Sequence, residues 1–340
     1  MFFKAIMVIF SFGILAFSIA GLLSSNVDPN QNLNITFIGL ALPVILLIAF
    51  SLFIFWLFRK SCWCVIPMLA IIINYQYISS MFQINFFSGR GGAMSDSGIR
   101  IATYNIHGFR YIQDDVSVNY IANYVSGEKI NILCMQEFSS HSLFNLGEVI
   151  GAFDSFPFST VNKNSAPEDG LAIFSKFPIT GSGRINMEST SNGAEWADLE
   201  LPDGRILRVI NAHLQTTGIN KFYYLGAKKN LNVIGENFKQ RALQANILKA
   251  FLDTSKTPVI LCGDFNDTPS SYVYKKAKGN LIDGFKEAGS GIGSTFMHKA
   301  NLLRIDYIMY SKDLNGVRYY SNTLKWSDHN PVVAELEYRN

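Results

Sequence analysis

The sequence predicts an α/β domain preceded by a transmembrane helical region, and three observations carry that reading. Apolar residues, 49% of the 340-residue chain, concentrate before about Asn85, whereas the remainder has an ordinary globular mixture. The opening region holds three apolar stretches, each near the ~20 residues that a spanning helix needs. From Ile99 onward, short β-rich apolar runs alternate with helical patterns, as expected of one α/β domain of ~240 residues.

The three stretches are residues 5–23, 35–58 and 62–82. A cleavable signal peptide would have one apolar core of ~7–15 residues and would leave the later two unexplained. Asn74 and Gln76 interrupt the third, which is read either as a span with an interhelical hydrogen bond or as a re-entrant segment. Lys4 precedes the first stretch, Arg59 and Lys60 separate the second from the third, and residues 24–34 contain neither Lys nor Arg. Positive charge is retained on the cytoplasmic side, which puts the N-terminus inside and everything after Phe82 outside. The expected location is a multi-pass membrane protein with its later domain periplasmic, if the membrane is a bacterial inner one. Residues 1–84 are then the transmembrane region, the Gly- and Ser-rich 85–98 a linker, and 99–340 the catalytic domain.

The formal charge of +3 is spread out, without the clustered Lys and Arg of a polybasic nucleic-acid arm. Cys62, Cys64, Cys134 and Cys262 do not form a zinc set, and the last two lie in strand-like runs that suit buried thiols. Strands are expected at 99–104, 130–136, 170–175, 207–212, 259–262, 305–310 and 332–338. Helices are expected at 116–127 and 238–253, where Ala242, Leu243, Ile247, Leu248 and Phe251 make an apolar stripe.

Five segments join an apolar strand to polar residues: Ala102-Thr-Tyr-Asn105, Cys134-Met-Gln-Glu137, Ile210-Asn-Ala-His213, Gly263-Asp-Phe-Asn266 and Ser327-Asp-His329. Singly, each has a plain structural explanation: a turn Asn, a solvated Glu, a packed His. In this order, with Arg304-Ile-Asp306-Tyr, Ser327-Asp-His-Asn-Pro331 and the Arg241/Gln244 pair, they resemble the endonuclease/exonuclease/phosphatase superfamily over nearly all of 99–338. The resemblance implies a two-sheet α/β sandwich of deoxyribonuclease-like fold and a metal-dependent hydrolase acting on phosphoesters.

Attack on a phosphoester anion requires charge neutralisation, an activated water and help for the leaving oxygen. Glu137 supplies a hard anionic oxygen and Asn105 a neutral amide, a pair suited to Mg²⁺, with Mn²⁺ as the alternative. The resemblance adds Asp328 to the metal site, directly or through water, and its oxygen-rich pattern makes zinc a poorer fit. Asp264 is the candidate to orient or deprotonate water. Asn266, placed on the same face by strand alternation, is the candidate to donate to phosphoryl oxygens. His329 would contact the scissile phosphate, oriented and kept charged by Asp306, and which group is the base stays open.

The resemblance also gives His213 a role at the leaving group. It gives Asp169, equally well a turn residue in Pro167-Glu-Asp-Gly170, the role of its acidic partner. His107, His141 and His298 match no catalytic position, although His107 is near enough to Asn105 to line the mouth. Between His213 and Arg241 the chain inserts 216–240, with Lys221-Phe-Tyr-Tyr-Leu225 and Lys228-Lys229. This is either a surface for phosphate or headgroups or an ordinary helix with a solvated basic face. The expected partners are a phosphoester substrate (lipid, nucleic acid or small molecule) and the bilayer; no protein partner is inferable. A periplasmic nuclease is the alternative enzyme. A degenerate membrane-linked binding module is the non-enzymatic one, and it should have lost at least one of Glu137, Asp264, Asp306 or His329.

Overall fold

In the computed structural model of the chain, the described residues are 2–85, 95, 98–110, 117–139, 145–161, 170–187, 192–218, 227–297 and 303–339, with the side chains of 227–229 left aside. The chain divides into two units: one comprises residues 1–81, 217–243 and 267–276, the other 82–216, 244–266 and 277–340.

In the first unit, predominantly apolar sequence makes helices α1 (Phe2–Leu23) and α2 (Leu33–Phe58), the second capped by the Asn32 side chain, which accepts from the backbone N–H groups of Asn34 and Ile35. Both are long and apolar enough to cross a membrane. Their surfaces reverse the soluble pattern: Phe2, Ile9, Phe17, Leu47 and Phe58 point outward, while Ser11, Ser18 and Gly21 are buried between helices. Small residues let the backbones approach, and the Trp56 indole donates to Ser11 Oγ at 3.0 Å. A side chain at Gly39 would collide with Ser24 Oγ at 2.2 Å.

The third stretch is two helices, α3 (Val65–Ile73) and α4 (Tyr75–Met81), bent by 60° at Asn74. The Asn74 amide donates to Ala70 O at 2.9 Å and to Ser18 O on α1 at 3.4 Å, so the interrupting residue makes an interhelical hydrogen bond and also marks the break. The later segments of this unit join the helix ends through polar contacts. Ser24 Oγ donates to Ser270 O at 2.9 Å, Ser270 Oγ to Gly39 O at 3.1 Å, and Phe37 packs edge-on against Phe238 at 5.6 Å.

The second unit is a two-sheet α/β sandwich. Its strands in chain order are β1 (Phe82–Gln83), β2 (Ile99–Asn105), β3 (Ile132–Gln136), β4 (Phe158–Ser159), β5 (Ala172–Ser175), β6 (Ile179–Ile185), β7 (Gly193–Glu200) and β8 (Ile206–His213). They continue with β9 (Val259–Asp264), β10 (Ile282–Asp283), β11 (Gly291–Ile292), β12 (Asp306–Tyr310), β13 (Leu314–Ser321) and β14 (Val332–Tyr338). The first sheet runs β13-β14-β2-β3-β5-β4, the second β10-β12-β9-β8-β7-β6, and β1 pairs β11 separately. Within each sheet one central pair is parallel, β2 with β3 and β8 with β9.

Period-2 alternation decides what each strand buries. Ile101, Cys134, Val209, Cys262 and Ile308 face into the apolar layer between the sheets, which also holds Ile99, Ile260 and Ala334. The opposite face of the first sheet packs Tyr104, Leu133 and Met135 against α5 (Ser117–Gly127) through Val118, Ile121 and Val125. The remaining helices are α6 (Leu146–Gly151), α7 (Ala227–Thr254), α8 (Tyr272–Lys278) and α9 (Gly284–Ala288). Phe251 of α7 contacts Trp196 of β7, with ring centroids 6.3 Å apart.

Helix α7 starts eleven residues earlier than the apolar stripe indicates, because its first turns carry Lys, Asn and Glu instead of a regular stripe. Strands β6, β7 and β13 escape the apolar-run criterion. In β6 the positions facing Trp196 are Gly181 and Gly183, where a Cβ would come within 3.0–3.5 Å of the indole, so the strand is polar and glycine-rich by necessity.

Candidate active site

Along the inner faces of the strands, each two-residue step moves from the apolar layer to one end of the sandwich. The steps are Ile101-Thr103-Asn105 on β2, Cys134-Gln136 on β3, Val209-Asn211-His213 on β8 and Cys262-Asp264 on β9. At that end the ladder sets His213 opposite Asp264 and Asp264 opposite Asp306. Parallel pairing of β2 with β3 puts Asn105 beside Gln136, so Glu137 follows immediately. Glu137 has φ 56°, a left-handed conformation unusual for glutamate, and its side chain is 39% exposed.

The Asn105 amide nitrogen donates to Glu137 Oε1 and to Asp264 Oδ2, both at 3.1 Å, while its Oδ1 accepts from the His107 N–H. The amide thus links a carboxylate of the first sheet to one of the second. His213 Nε2 stands 3.9 Å from Glu137 Oε1 and 3.8 Å from Asp264 Oδ2. His329 Nε2 stands 3.7 Å from Asp264 Oδ2, and its Nδ1 is 2.9 Å from Asp306 Oδ2.

Burial alone would lower the pKa of His329. The carboxylates of Asp306 and Asp264, with the Asp306 hydrogen bond, outweigh burial and hold the imidazole up at about 10. Asp306 is itself fixed: Thr295 Oγ1 accepts from its backbone N–H, and the preceding Arg304 guanidinium is buried in a charge-assisted pair with Asp283. Asp264, Asp306 and His329 each offer a ligand atom within 4.8 Å of the others, a cluster able to hold a metal ion.

Asn266 reaches the site by a different route from strand alternation. β9 ends at Asp264, whose Oδ1 accepts from the Asn266 N–H at 2.8 Å, and this side-chain-closed turn gives Asn266 a φ of 53°. Its amide donates to Leu214 O at 3.0 Å and to Asp264 Oδ2 at 3.3 Å. Gly263, one residue earlier, has φ 134°, and a Cβ there would lie 1.9 Å from Ala212 O, so only glycine lets β9 run against β8 into Asp264.

Asp328 lies at the mouth, where its Oδ1 is 3.4 Å from Ser327 Oγ, and Ser327 Oγ in turn donates to Asn105 O at 2.7 Å. His107, left without a role on sequence grounds, has Nδ1 3.4 Å from Asp328 Oδ1 and 3.7 Å from Glu137 Oε2. The only sequence signal for it was its place two residues after Asn105. The structure thus gathers Asn105, Glu137, His213, Asp264, Asn266, Asp306, Asp328 and His329 at one end of the sandwich. Asp169, His141, His298 and residues 221–225 lie outside the described residues. Of the Arg241/Gln244 pair, Arg241 Nε donates to Asp267 Oδ2 at 3.1 Å in the first unit, and in the second Gln244 Oε1 accepts from the Gln215 N–H at 2.7 Å.

Paired carboxylates, a carboxylate-bound histidine and amide donors at the open end of a two-sheet sandwich define a hydrolase for phosphoester bonds. The profile of the Endonuclease/Exonuclease/phosphatase family matches residues 102–329, two-thirds of the chain, and the chain belongs to that family. Residues 4–81 match a second profile, described as Domain of unknown function (DUF8431). No curated protein matches the chain.

Solved structures share the fold. An endonuclease/exonuclease/phosphatase protein from Bacteroides vulgatus is 18% identical with TM-score 0.53, covering 72% of this chain and 100% of its own. The human Nocturnin catalytic domain, solved with bound sulfate, is 22% identical with TM-score 0.54, covering 73% and 97%. A mannosyl-6-phosphatase from Bacteroides thetaiotaomicron is 18% identical with TM-score 0.51, covering 71% and 100%.

Proposed function

We propose that this family hydrolase is a membrane-anchored, Mg²⁺-dependent phosphoesterase, with Mn²⁺ as the alternative ion, and that residues 1–84 tether the catalytic region 99–340 through 85–98. One observation carries the reading: Glu137, His213, Asp264 and His329 meet within 3.9 Å contacts around the Asn105 amide. The donors fit a hard divalent ion. Glu137 and Asp328 offer carboxylate oxygens, Asn105 would offer its amide oxygen on rotation of the amide that here directs Nδ2 at Glu137, and the exposure of Glu137 leaves room for an ion that keeps part of its water. Bound there, the ion would neutralise charge on the phosphoryl oxygens.

The chain's own residues supply the rest. Asp264, buried and held by Asn105 and Asn266, orients an attacking water and accepts its proton at Oδ2. His329, charged and fixed by Asp306, donates from Nε2 to the phosphate, and the Asn266 amide adds a second donor by exchanging its bond to Leu214 O for one to substrate. His213, 3.8 Å from Asp264 Oδ2, takes the role of passing a proton to the leaving oxygen.

The tether favours a substrate in or near the bilayer, such as a lipid headgroup, because anchoring raises the effective concentration of membrane-bound substrates. The outward Phe and Ile side chains of α1 support the anchoring. The test is hydrolysis by the full chain in detergent micelles, with Mg²⁺ or Mn²⁺, of bis(p-nitrophenyl) phosphate, phospholipids and single- and double-stranded DNA. Activity that EDTA abolishes is expected on the first two. Activity on DNA alone would favour a nuclease, and none on any substrate, with bound metal, a binding module. For the sidedness, a phosphatase reporter fused after Asn340 should be active in a bacterial host; an inactive one overturns the outward topology.

A further inference from the structure

Directly beneath the gathered residues lies a layer of buried polar side chains formed by Thr103, Gln136, Glu195 and Asn211. Side chains at this depth are normally apolar, and each polar group placed there must be hydrogen-bonded to offset its lost hydration. Asn211, on β8 of the second sheet, spends its bonds on the first sheet. Its amide nitrogen donates to Met135 O at 2.8 Å and to Ala172 O at 3.2 Å, the carbonyls of two residues paired across β3 and β5. Its Oδ1 accepts from Gln136 Nε2 at 2.6 Å, and the same nitrogen of Gln136 also donates to Thr103 Oγ1 at 2.9 Å. On its own sheet, the Asn211 amide approaches Glu195 Oε1 at 3.4 Å.

Chain connectivity links this layer to the site. Gln136 is followed by Glu137, Asn211 stands two residues before His213 on the same strand face, and Thr103 stands two before Asn105. The cross-sheet bonds of Asn211 therefore act beside the Asn105 amide on a spacing that the strand ladders cannot set, since ladders tie strands only within a sheet. That spacing is the separation of Glu137 from His213 and Asp264.

We propose that Asn211 is a positioning residue, holding the Glu137 carboxylate of one sheet in register with His213 and Asp264 of the other through Gln136, Met135 O and Ala172 O. The proposal rests on the phosphoesterase reading of this site. Partners behind metal ligands alter affinity or activity about 10–100-fold when removed, and a misplacement near 1 Å costs turnover on the order of 100-fold.

The test uses the full chain in detergent micelles, comparing wild type with Asn211→Leu and with Gln136→Met, which removes the Gln136 bonds but keeps both Asn211-to-carbonyl bonds. Circular dichroism and thermal melting establish folding, and Gln136→Met carries the test if Asn211→Leu does not fold. Electron paramagnetic resonance of free Mn²⁺ gives the metal dissociation constant, and bis(p-nitrophenyl) phosphate hydrolysis gives kcat and KM separately. A folded variant should bind Mn²⁺ about 10-fold more weakly and lose kcat about 10–100-fold with KM within about twofold. Folded variants with wild-type kcat and Mn²⁺ affinity overturn the positioning role while leaving the phosphoesterase reading intact. A wild-type chain that neither binds Mn²⁺ nor hydrolyses the ester overturns both.

Discussion

The first sheet brings Asn105 and Glu137 to the site, a neutral amide and a carboxylate open to solvent, whereas the second brings His213, Asp264 and Asp306, which are buried. The environments differ as much as the residues. At Glu137 water is at hand and a hydrated cation can approach. At Asp264 and Asp306 solvent is excluded, and charge is balanced by His329 and by amide donors. A carboxylate near water is suited to trading ligands with an ion, and a carboxylate in a dry, hydrogen-bonded setting to holding a proton or a water in a fixed direction. Under the proposed function the two faces of the sandwich divide the labour of ion binding and proton handling.

That division can be broken by substitution. Asp264→Asn keeps shape and removes the acceptor, so kcat should fall by ~10³-fold or more at saturating metal and substrate, with no recovery as metal is raised. Glu137→Gln should raise the Mn²⁺ needed for half-maximal activity at least ~100-fold, with activity returning in part at high metal. Equal rescue of both variants by metal, measured as kcat against Mn²⁺ concentration, would erase the distinction between the sheets.

A smaller effect sharpens the description of the second sheet. The folded pKa of His329 is raised to about 10 from an ordinary value near 6.5. Its charge with Asp306 therefore stabilises the metal-free chain fully below that ordinary value, and the contribution is lost as pH rises through about 10. The apparent melting temperature without metal should fall between pH 7 and 10 by about 2–4 °C or more in the wild type. In Asp306→Asn the decline across that window should be visibly shallower; parallel curves would remove the pair from the account.

Much of the site is legible in the sequence because the residues in question end apolar runs. β3 and β9 carry an unbroken apolar segment, β2 and β8 a mostly apolar one crossed by Arg100 and Thr103 and by Arg208 and Asn211, and each strand ends at a polar residue, so the elements and the candidates at their ends share one signal. What escapes depends on contacts distant in sequence. Gly181 and Gly183 are strand residues only because Trp196 covers them, and Asn266 arrives through a turn closed by the Asp264 side chain. His107 joins Glu137 and Asp328 through a turn in which His107, Gly108 and Phe109 all have positive φ, which no local pattern announces. Asn211 looks like any polar strand residue until the opposing sheet supplies its carbonyl partners.

The strand order of the first sheet has a consequence for biosynthesis. β2, the first strand of the two sheets, lies between β3 and β14, the last, so one of its edges waits for a strand more than two hundred residues later. Ser327-Asp328-His329 arrive only a few residues earlier. A nascent chain that has completed β2 and β3 still lacks both the closing strand and the imidazole. Contacts spanning more than two hundred residues form late and slowly, so the first sheet closes, and His329 meets Asp306, among the last events of folding.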